Sequence, residues 1–281
     1  MARSGPIPVY VINLDRSPQR LAHMTAQLSD LGIAFERLPA VDGRVLDPAY
    51  VAKFAPLAAS QIGCFLSHKL AWQRIAWGDA PCGIVLEDDI HIAPALAPFV
   101  RAANWVPADA GIVKLETMLT RVSIDATALP GPGSSKLARL RSLHPGTAAF
   151  LLSRQVAAAL LQAFPDPVLA ADGAIFGAKA LQLTAIYQAD PAPCIQDRVR
   201  PAEQQDARLA PVIDANPLHE PLPAKLAREA QRLLEQVGGA AAEALGLRPR
   251  RKRCVVPFAT GGAAADTPRL RVVSTRLEPA E

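Results

Sequence analysis

An α/β fold is predicted by three features of the chain: short apolar runs rich in β-branched residues, helical repeats of apolar residues between them, and polar or acidic residues where the runs end. The first run, Val9-Tyr10-Val11-Ile12-Asn13-Leu14, is nearly continuous in apolar side chains, which suits a strand covered on both faces, with Asn13 as its polar end. Ser17-Pro18 reads as an N-cap followed by proline at the first helical position. Leu21, Met24, Leu28 and Leu31 then recur at helical spacing until Gly32 stops the helix. A strand around residues 34–38 completes a β-α-β start, and Asp42-Gly43 marks a turn.

Residues 60–77 contain no proline and one glycine, Gly63, and carry enough apolar residues for a largely buried helix that Gly78 ends. Residues 82–86 form the next apolar strand, and Glu87-Asp88-Asp89 follow at its C-terminal end. A strand at 112–115, a turn-rich insertion at 130–135 and a strand at 147–152 come next; Ser153 then caps a helix to about Ala163. The alternation predicts one α/β domain over residues 1–200. Residues 201–260 read as a helical or irregular appendage in which Leu226, Leu233, Leu234 and Val237 share a helix face before Gly238-Gly239, and residues 261–281 as a turn-rich, mobile tail.

A chain of 281 residues with 50% hydrophobic content can bury a substantial core. Its formal charge is +4, but five of the six residues 248–253 are basic, which leaves about −1 for the rest. Such a body lacks the general positive field that sequence-independent nucleic-acid binding requires. Cys64, Cys82, Cys194 and Cys254 are widely spaced, so reduced thiols are expected in place of a structural zinc site or a disulfide framework. Residues 1–8 carry no apolar leader core and no stretch is long enough to span a bilayer; a cytoplasmic protein is expected.

Three consecutive acids at a strand end repel one another strongly unless something neutralises them. A bound hard cation, Mg²⁺ or Mn²⁺, is the natural remedy, since oxygen ligands select such ions and substrate phosphates complete the shell. It would stabilise charge on a departing diphosphate. A solvated acidic turn is the alternative meaning of a lone triplet.

The triplet keeps specific company. Val11-Ile12-Asn13-Leu14-Asp15-Arg16-Ser17-Pro18-Gln19-Arg20 contains an N-L-x-R-x-x-x-R turn; Ala40-Val41-Asp42-Gly43, Gly63-Cys64-Phe65-Leu66-Ser67-His68 and Ile84-Val85-Leu86-Glu87-Asp88-Asp89-Ile90 follow in order. Looser matches are Val113-Lys114-Leu115, the segment from Gly146-Thr147 to Ser153, and Ala171-Asp172. Over residues 9–197 the chain resembles glycosyltransferase family 25, the enzymes of lipopolysaccharide and lipooligosaccharide assembly. The resemblance implies a GT-A-like, nucleotide-sugar-binding mixed sheet flanked by helices, a UDP-hexose donor, commonly UDP-galactose, a glycolipid or saccharide acceptor, and transfer with inversion.

Within that resemblance Asp89 is the first candidate for direct metal ligand, with Glu87 or Asp88 helping through the ribose or a metal-bound water. Asn13 and Arg16, at the first strand's end, either contact the uridine or stabilise their loop. Arg20 reads as a partner for an acid on the helix surface. Ser67 and His68 lie in a helix, either packed or near the donor, and His91 is a ligand or a surface residue. Lys114 and Glu116 alternate on a strand and read as facing solvent. Trp72, Trp77 and Trp105 either stack on sugar rings or pack in the core. Asp172 is nominated as general base, since a carboxylate engaged by metal is too weak a base; its alternative is a cap on a helix beginning at Gly173. The basic run of Arg248, Arg250, Arg251, Lys252 and Arg253 is either a contact with an anionic membrane or a solvated tail. The rival functions are a non-catalytic descendant that binds a nucleotide sugar or a protein, and a metal-dependent phosphoesterase.

Overall fold

The computed structural model describes residues 5–210 and 249–260. Strand β1, Val9–Asn13, leads into helix α1, Pro18–Asp30, and β2, Glu36–Pro39. Pro18 opens α1 as expected, but the Ser17 side chain makes no capping bond; its carbonyl instead accepts from Asn13 Nδ2 at 3.0 Å. A short α2, Pro48–Ala52, and the long α3, Ala59–Ala76, precede β3, Cys82–Glu87. Then come β4, Ile90–Ile92, α4, Ala97–Arg101, β5, Ala110–Lys114, β6, Glu116–Thr117, and β7, Arg121–Asp125. The turn-rich stretch is a hairpin tip: β8, Leu129–Pro130, returns as β9, Lys136–Arg139, with Gly131 N–H donating to the Ser135 carbonyl at 2.9 Å. The last elements are β10, Ala149–Ser153, α5, Arg154–Ala163, α6, Ala171–Phe176, α7, Ala178–Leu183, β11, Ala185–Asp190, β12, Cys194–Gln196, and β13, Arg251–Val255. Ser153 does cap α5, accepting from Val156 N–H at 3.2 Å.

The main sheet has eight strands in the order β2-β1-β3-β10-β5-β11-β9-β8. Pairs β1/β2, β1/β3 and β5/β11 are parallel, while β10 runs antiparallel to both β3 and β5, so the sheet is mixed. Its central strands are buried on both faces, which is why they read as unbroken apolar runs. Alternate residues of each strand feed two cores. Tyr10, Ile12, Val85 and Phe150 meet α3 and α5 on one face; Val9, Val11, Ile84 and Leu86 meet Met24, Leu28 and Phe99 on the other. A three-stranded sheet, β4-β12-β6, carries the chain beyond the acidic triplet.

Several expectations change. Lys114 and Glu116 are fully buried, because their strand end lies beneath the loop that precedes β10. Trp72 packs edge-on against Phe65 and Trp105 against Phe99, but Trp77 is 75% exposed at the end of α3. Part of the basic run is ordered structure: β13 pairs antiparallel with β7, and Thr117 Oγ1 donates to the Val256 carbonyl at 2.6 Å. Arg248, the expected helix of Leu226, Leu233, Leu234 and Val237, and the tail at 261–281 lie outside the described residues. Among the described residues no helix is long and apolar enough to cross a membrane.

Candidate active site

The C-terminal ends of β1 and β3 and the N-terminal end of the antiparallel β10 converge on one edge of the sheet, where a cavity of about 540 Å³ opens. Open α/β sheets bind ligands at this edge. Leu14 and Arg16 from the β1 turn, Val41 to Arg44 from the following loop, and Gln61, Cys64 and His68 from α3 form part of the wall. Glu87, Asp88, Asp89, Gly146, Thr147, Asp172, Gln196 and Arg198 complete its polar lining.

The three acids divide their work. Asp88 turns inward, 7% exposed, where Asn13 Nδ2 donates to it at 2.7 Å and Arg20 Nη1 at 2.9 Å. Burial still raises its pKa against the pull of Arg20 and Asn13. Asn13 is therefore a brace and does not border the cavity; its Oδ1 accepts from Arg37 Nε at 2.9 Å. Arg20, expected to serve a surface acid, is instead buried on Asp88 and also donates to the Leu209 and Ala210 carbonyls. Arg16 does border the cavity, and donates to Asp42 at 2.6 Å.

Glu87 and Asp89 face the cavity. Glu87 Oε1 pairs with His68 Nε2 at 2.9 Å and accepts from Thr147 Oγ1 at 2.7 Å, while Gln196 Nε2 reaches Glu87 Oε2 at 3.1 Å and Asp89 Oδ1 at 3.3 Å. Burial pushes the Glu87 carboxyl up, but the His68 and Thr147 bonds outweigh it and hold the group below its ordinary range. Asp89 has less support. Burial, and then the Glu87 charge, push it up to about 7. A carboxyl kept half-protonated near neutral pH marks a place short of positive charge, which fits a hard divalent ion. Asp89 offers free lone pairs, and Glu87 retains one on Oε2, so these two are the oxygens that would hold it.

Helix α3 explains why its motif holds together. A Cβ on Gly63 would stand 2.7 Å from the Val41 carbonyl, so only glycine lets the helix close on the Val41–Gly43 turn. Ser67 Oγ accepts from Val41 N–H at 2.8 Å and donates to the Gly63 carbonyl at 2.7 Å, pinning that contact. His68, 1% exposed, reaches Glu87 from one turn further on. The two motifs are one packing unit. Ser67 and His68 both border the cavity, each through a structural bond to a neighbouring loop or strand.

The opposite end of Glu87's support lies in a buried charge pair. Lys114 Nζ donates to Glu116 Oε1 at 2.9 Å and to the Pro145 and Gly146 carbonyls, and sits 4.1 Å from the centre of the Phe176 ring. Glu116 Oε1 also accepts from Ala148 N–H at 2.8 Å. These bonds fix the loop that presents Thr147. Gly146 within it has φ +89°, and a Cβ there would stand 3.0 Å from Met118 Sδ and 3.1 Å from Glu116 Oε1. Burial pushes Lys114 down and Glu116 up, against their mutual attraction, and drives His144 down to about 3.

Asp172 borders the cavity from α6, which begins at Ala171 and not at Gly173. Its Oδ1 accepts from the adjacent Gly173 N–H at 2.8 Å, which is not a cap, and Oδ2 has no hydrogen-bond partner among the described residues. Arg198, exposed, spends Nε on Gln196 Oε1 at 3.1 Å and keeps its other N–H groups for the cavity. His91 points elsewhere, to Asp197 at 2.7 Å and Arg200 at 2.9 Å. Sequence reasoning missed Gln196 and Arg198. The one available signal was a glutamine ending the short apolar strand Cys194–Gln196.

Residues 6–175 match the family model described as glycosyltransferase family 25 (LPS biosynthesis protein). The lacto-N-neotetraose biosynthesis glycosyltransferase LgtB of Neisseria gonorrhoeae is 26% identical over 205 residues, 67% of this chain and 74% of that protein. The lipooligosaccharide biosynthesis protein lic2B of Haemophilus influenzae is 26% identical over 203 residues, 67% of this chain and 75% of that protein. A glycosyltransferase 25 family member of Aedes aegypti is 35% identical over 106 residues, 33% of this chain and 18% of that protein. With the family match spanning more than half the chain and covering every acid of the cavity, the protein is a glycosyltransferase and belongs to glycosyltransferase family 25.

Proposed function

We propose that the protein transfers a hexose, galactose first among the candidates, from a UDP-sugar to a hydroxyl of a lipooligosaccharide-type acceptor, with inversion and with Mn²⁺ or Mg²⁺. The observation that carries this reading is Asp89: a cavity carboxyl joined to Glu87 through Gln196 and short of positive charge. The mixed sheet and its ligand edge suit a GT-A arrangement, and 540 Å³ lies within the range of small-molecule sites. The names of the bacterial relatives support the acceptor class.

A divalent cation bound there would stabilise charge on the leaving diphosphate. Asp89 would hold it, with Glu87 kept ionised by His68 and Thr147. The spare N–H groups of Arg198 face the same anion. The acceptor hydroxyl oxygen attacks the anomeric carbon, the bond from that carbon to the diphosphate oxygen breaks, UDP leaves, and the hydroxyl proton passes to Asp172.

Asp89→Asn is expected to cut metal-dependent transfer on the order of 10²-fold or more with the fold intact. A pH series adds a second readout. Because the Asp89 pKa is raised to about 7, the metal-free protein is favoured by protonation of this group and loses that stability as pH rises through 7. The metal requires the carboxylate, so the Mn²⁺-induced rise in Tm should be small near pH 6, large near pH 8, and absent in Asp89→Asn. Wild-type turnover of the variant in chelator would remove the metal from the reading, and release of inorganic phosphate in place of UDP would assign a phosphoesterase.

The acceptor class also suggests a membrane contact. Arg250, Lys252 and Arg253 are exposed on and beside β13, each worth roughly 1 kcal/mol against an anionic surface. Since β13 is a paired strand, neutralisation is the clean test and truncation is not. Arg250→Gln with Arg253→Gln should reduce co-sedimentation with anionic vesicles; equal binding of the wild type to neutral vesicles would refute the contact.

A further inference from the structure

Glu87 has two sides. One, Oε2, is joined through Gln196 to Asp89; the other, Oε1, faces His68, and one of the two carboxylate oxygens lies within 4.8 Å of Cys64 Sγ. A ligand atom from each of Cys64, His68 and Glu87 lies within 4.8 Å of the other two, and all three residues border the cavity. Cys64 and His68 stand four residues apart on α3, one above the other on the same helix face. With His68 Nε2 turned to Glu87, its Nδ1 is buried and has no hydrogen-bond partner among the described residues.

We propose that Cys64 Sγ, a ring nitrogen of His68 and a carboxylate oxygen of Glu87 form a Zn²⁺ site inside the donor cavity, and that zinc there blocks transfer. A thiolate, an imidazole and a carboxylate are a donor set that zinc accepts and that Mg²⁺ and Mn²⁺ do not prefer. Zinc bond lengths of about 2.0–2.3 Å imply a tetrahedron with edges of about 3.3–3.8 Å. A pair of ligand atoms at the 4.8 Å limit would close by about 1 Å, and His68 Nε2 and Glu87 Oε1, now 2.9 Å apart, would open by a few tenths of an ångström, both within reach of side-chain rotation. Three protein ligands leave a fourth position open to water. The electrostatics point the same way. Glu87, Asp172 and Asp89 border the same cavity as Cys64, and carboxylates that oppose a lone thiolate favour a thiolate bound to a dication. Binding releases the thiol proton to solvent. Zinc would also take Glu87 from His68 and fill the cavity beside Asp89, which is why it should block the reaction. That inhibitory half rests on the transfer function proposed above; the binding half does not.

Cobalt serves as the spectroscopic probe for the reduced full-length protein. Co²⁺ should give the near-ultraviolet thiolate charge-transfer band and intense visible bands of a tetrahedral site, at one equivalent, and Zn²⁺ should displace them. Cys64→Ser should abolish the charge-transfer band, and His68→Gln should weaken zinc at least about tenfold, since even outer partners of a metal ligand are worth that much. Asp89→Asn should keep the band, separating this site from the one that supports turnover. In transfer assays the ratio of zinc-free to zinc-inhibited rate should fall towards one in Cys64→Ser. Absence of the band in folded wild-type protein, or an undiminished band in Cys64→Ser, overturns the site. A band without zinc inhibition leaves the site standing and overturns its inhibitory role.

Discussion

Asp172→Asn is expected to lower the transfer rate by about 10²- to 10⁴-fold, the span that a positioned general base contributes, with donor binding and Tm near their wild-type values. The expectation rests on a division of labour among the carboxylates. Asp88 is spent on Asn13 and Arg20, Glu87 on His68, Thr147 and Gln196, and Asp89 is the oxygen donor best suited to a cation. Asp172 is the remaining acid on the cavity wall with an uncommitted oxygen among the described residues, apart from Asp42, which Arg16 and Arg44 occupy. Asparagine preserves its shape and can still accept from Gly173 N–H, but it cannot take a proton. Pre-steady-state transfer with saturating UDP-sugar is the measurement. Full activity would make Asp172 a local brace of α6 and leave the base to be sought elsewhere.

Lys114→Met is expected to destabilise the protein by about 3–5 kcal/mol, because it leaves Glu116 buried without its counter-charge and strips the Pro145 and Gly146 carbonyls of their donor. Adding Glu116→Gln should recover much of the loss, since the neutral amide still accepts from Ala148 N–H without burying a charge. Urea unfolding of the two variants reads both effects. A loss below about 1 kcal/mol in the single variant would mean that water reaches Glu116 and that the loop before β10 is held by other contacts.

Five of the eight strands of the main sheet, β2, β1, β3, β10 and β5, were legible, the central ones because they are buried on both faces and so appear as unbroken apolar runs between helical repeats; β11, β9 and β8 were not. The motifs were legible as a set for a related reason: Gly63 and Ser67 exist to meet Val41, and His68 to meet Glu87. What the sequence concealed are residues whose environment comes from distant chain. Lys114 and Glu116 alternate as a solvent-facing pair would, and only the loop from Pro145 to Ala148 folding over them buries their charges. Asn13 and Arg20 carry no mark that their partner is Asp88. Gln196 sits on a strand too short to be periodic, and the basic strand β13 reads as a tail because its partner lies in another part of the sequence.

That partner sets an order of assembly. Asp125 pairs with Arg251 and Arg121 with Val255, a closure over nearly half the chain, while the β1-α1-β2 and β10-α5 units are made from near neighbours. Long closures are entropically late, and during synthesis at 5–20 residues per second β7 must wait roughly 6–25 s after it emerges before its mate exists. Through that interval β7 presents an unpaired edge to whatever surrounds the ribosome, beside the loop of residues 118–120, whose Met118 lies on the cavity wall. The nascent enzyme thus has the sheet that bears its cavity in place before the clasp that finishes the rim.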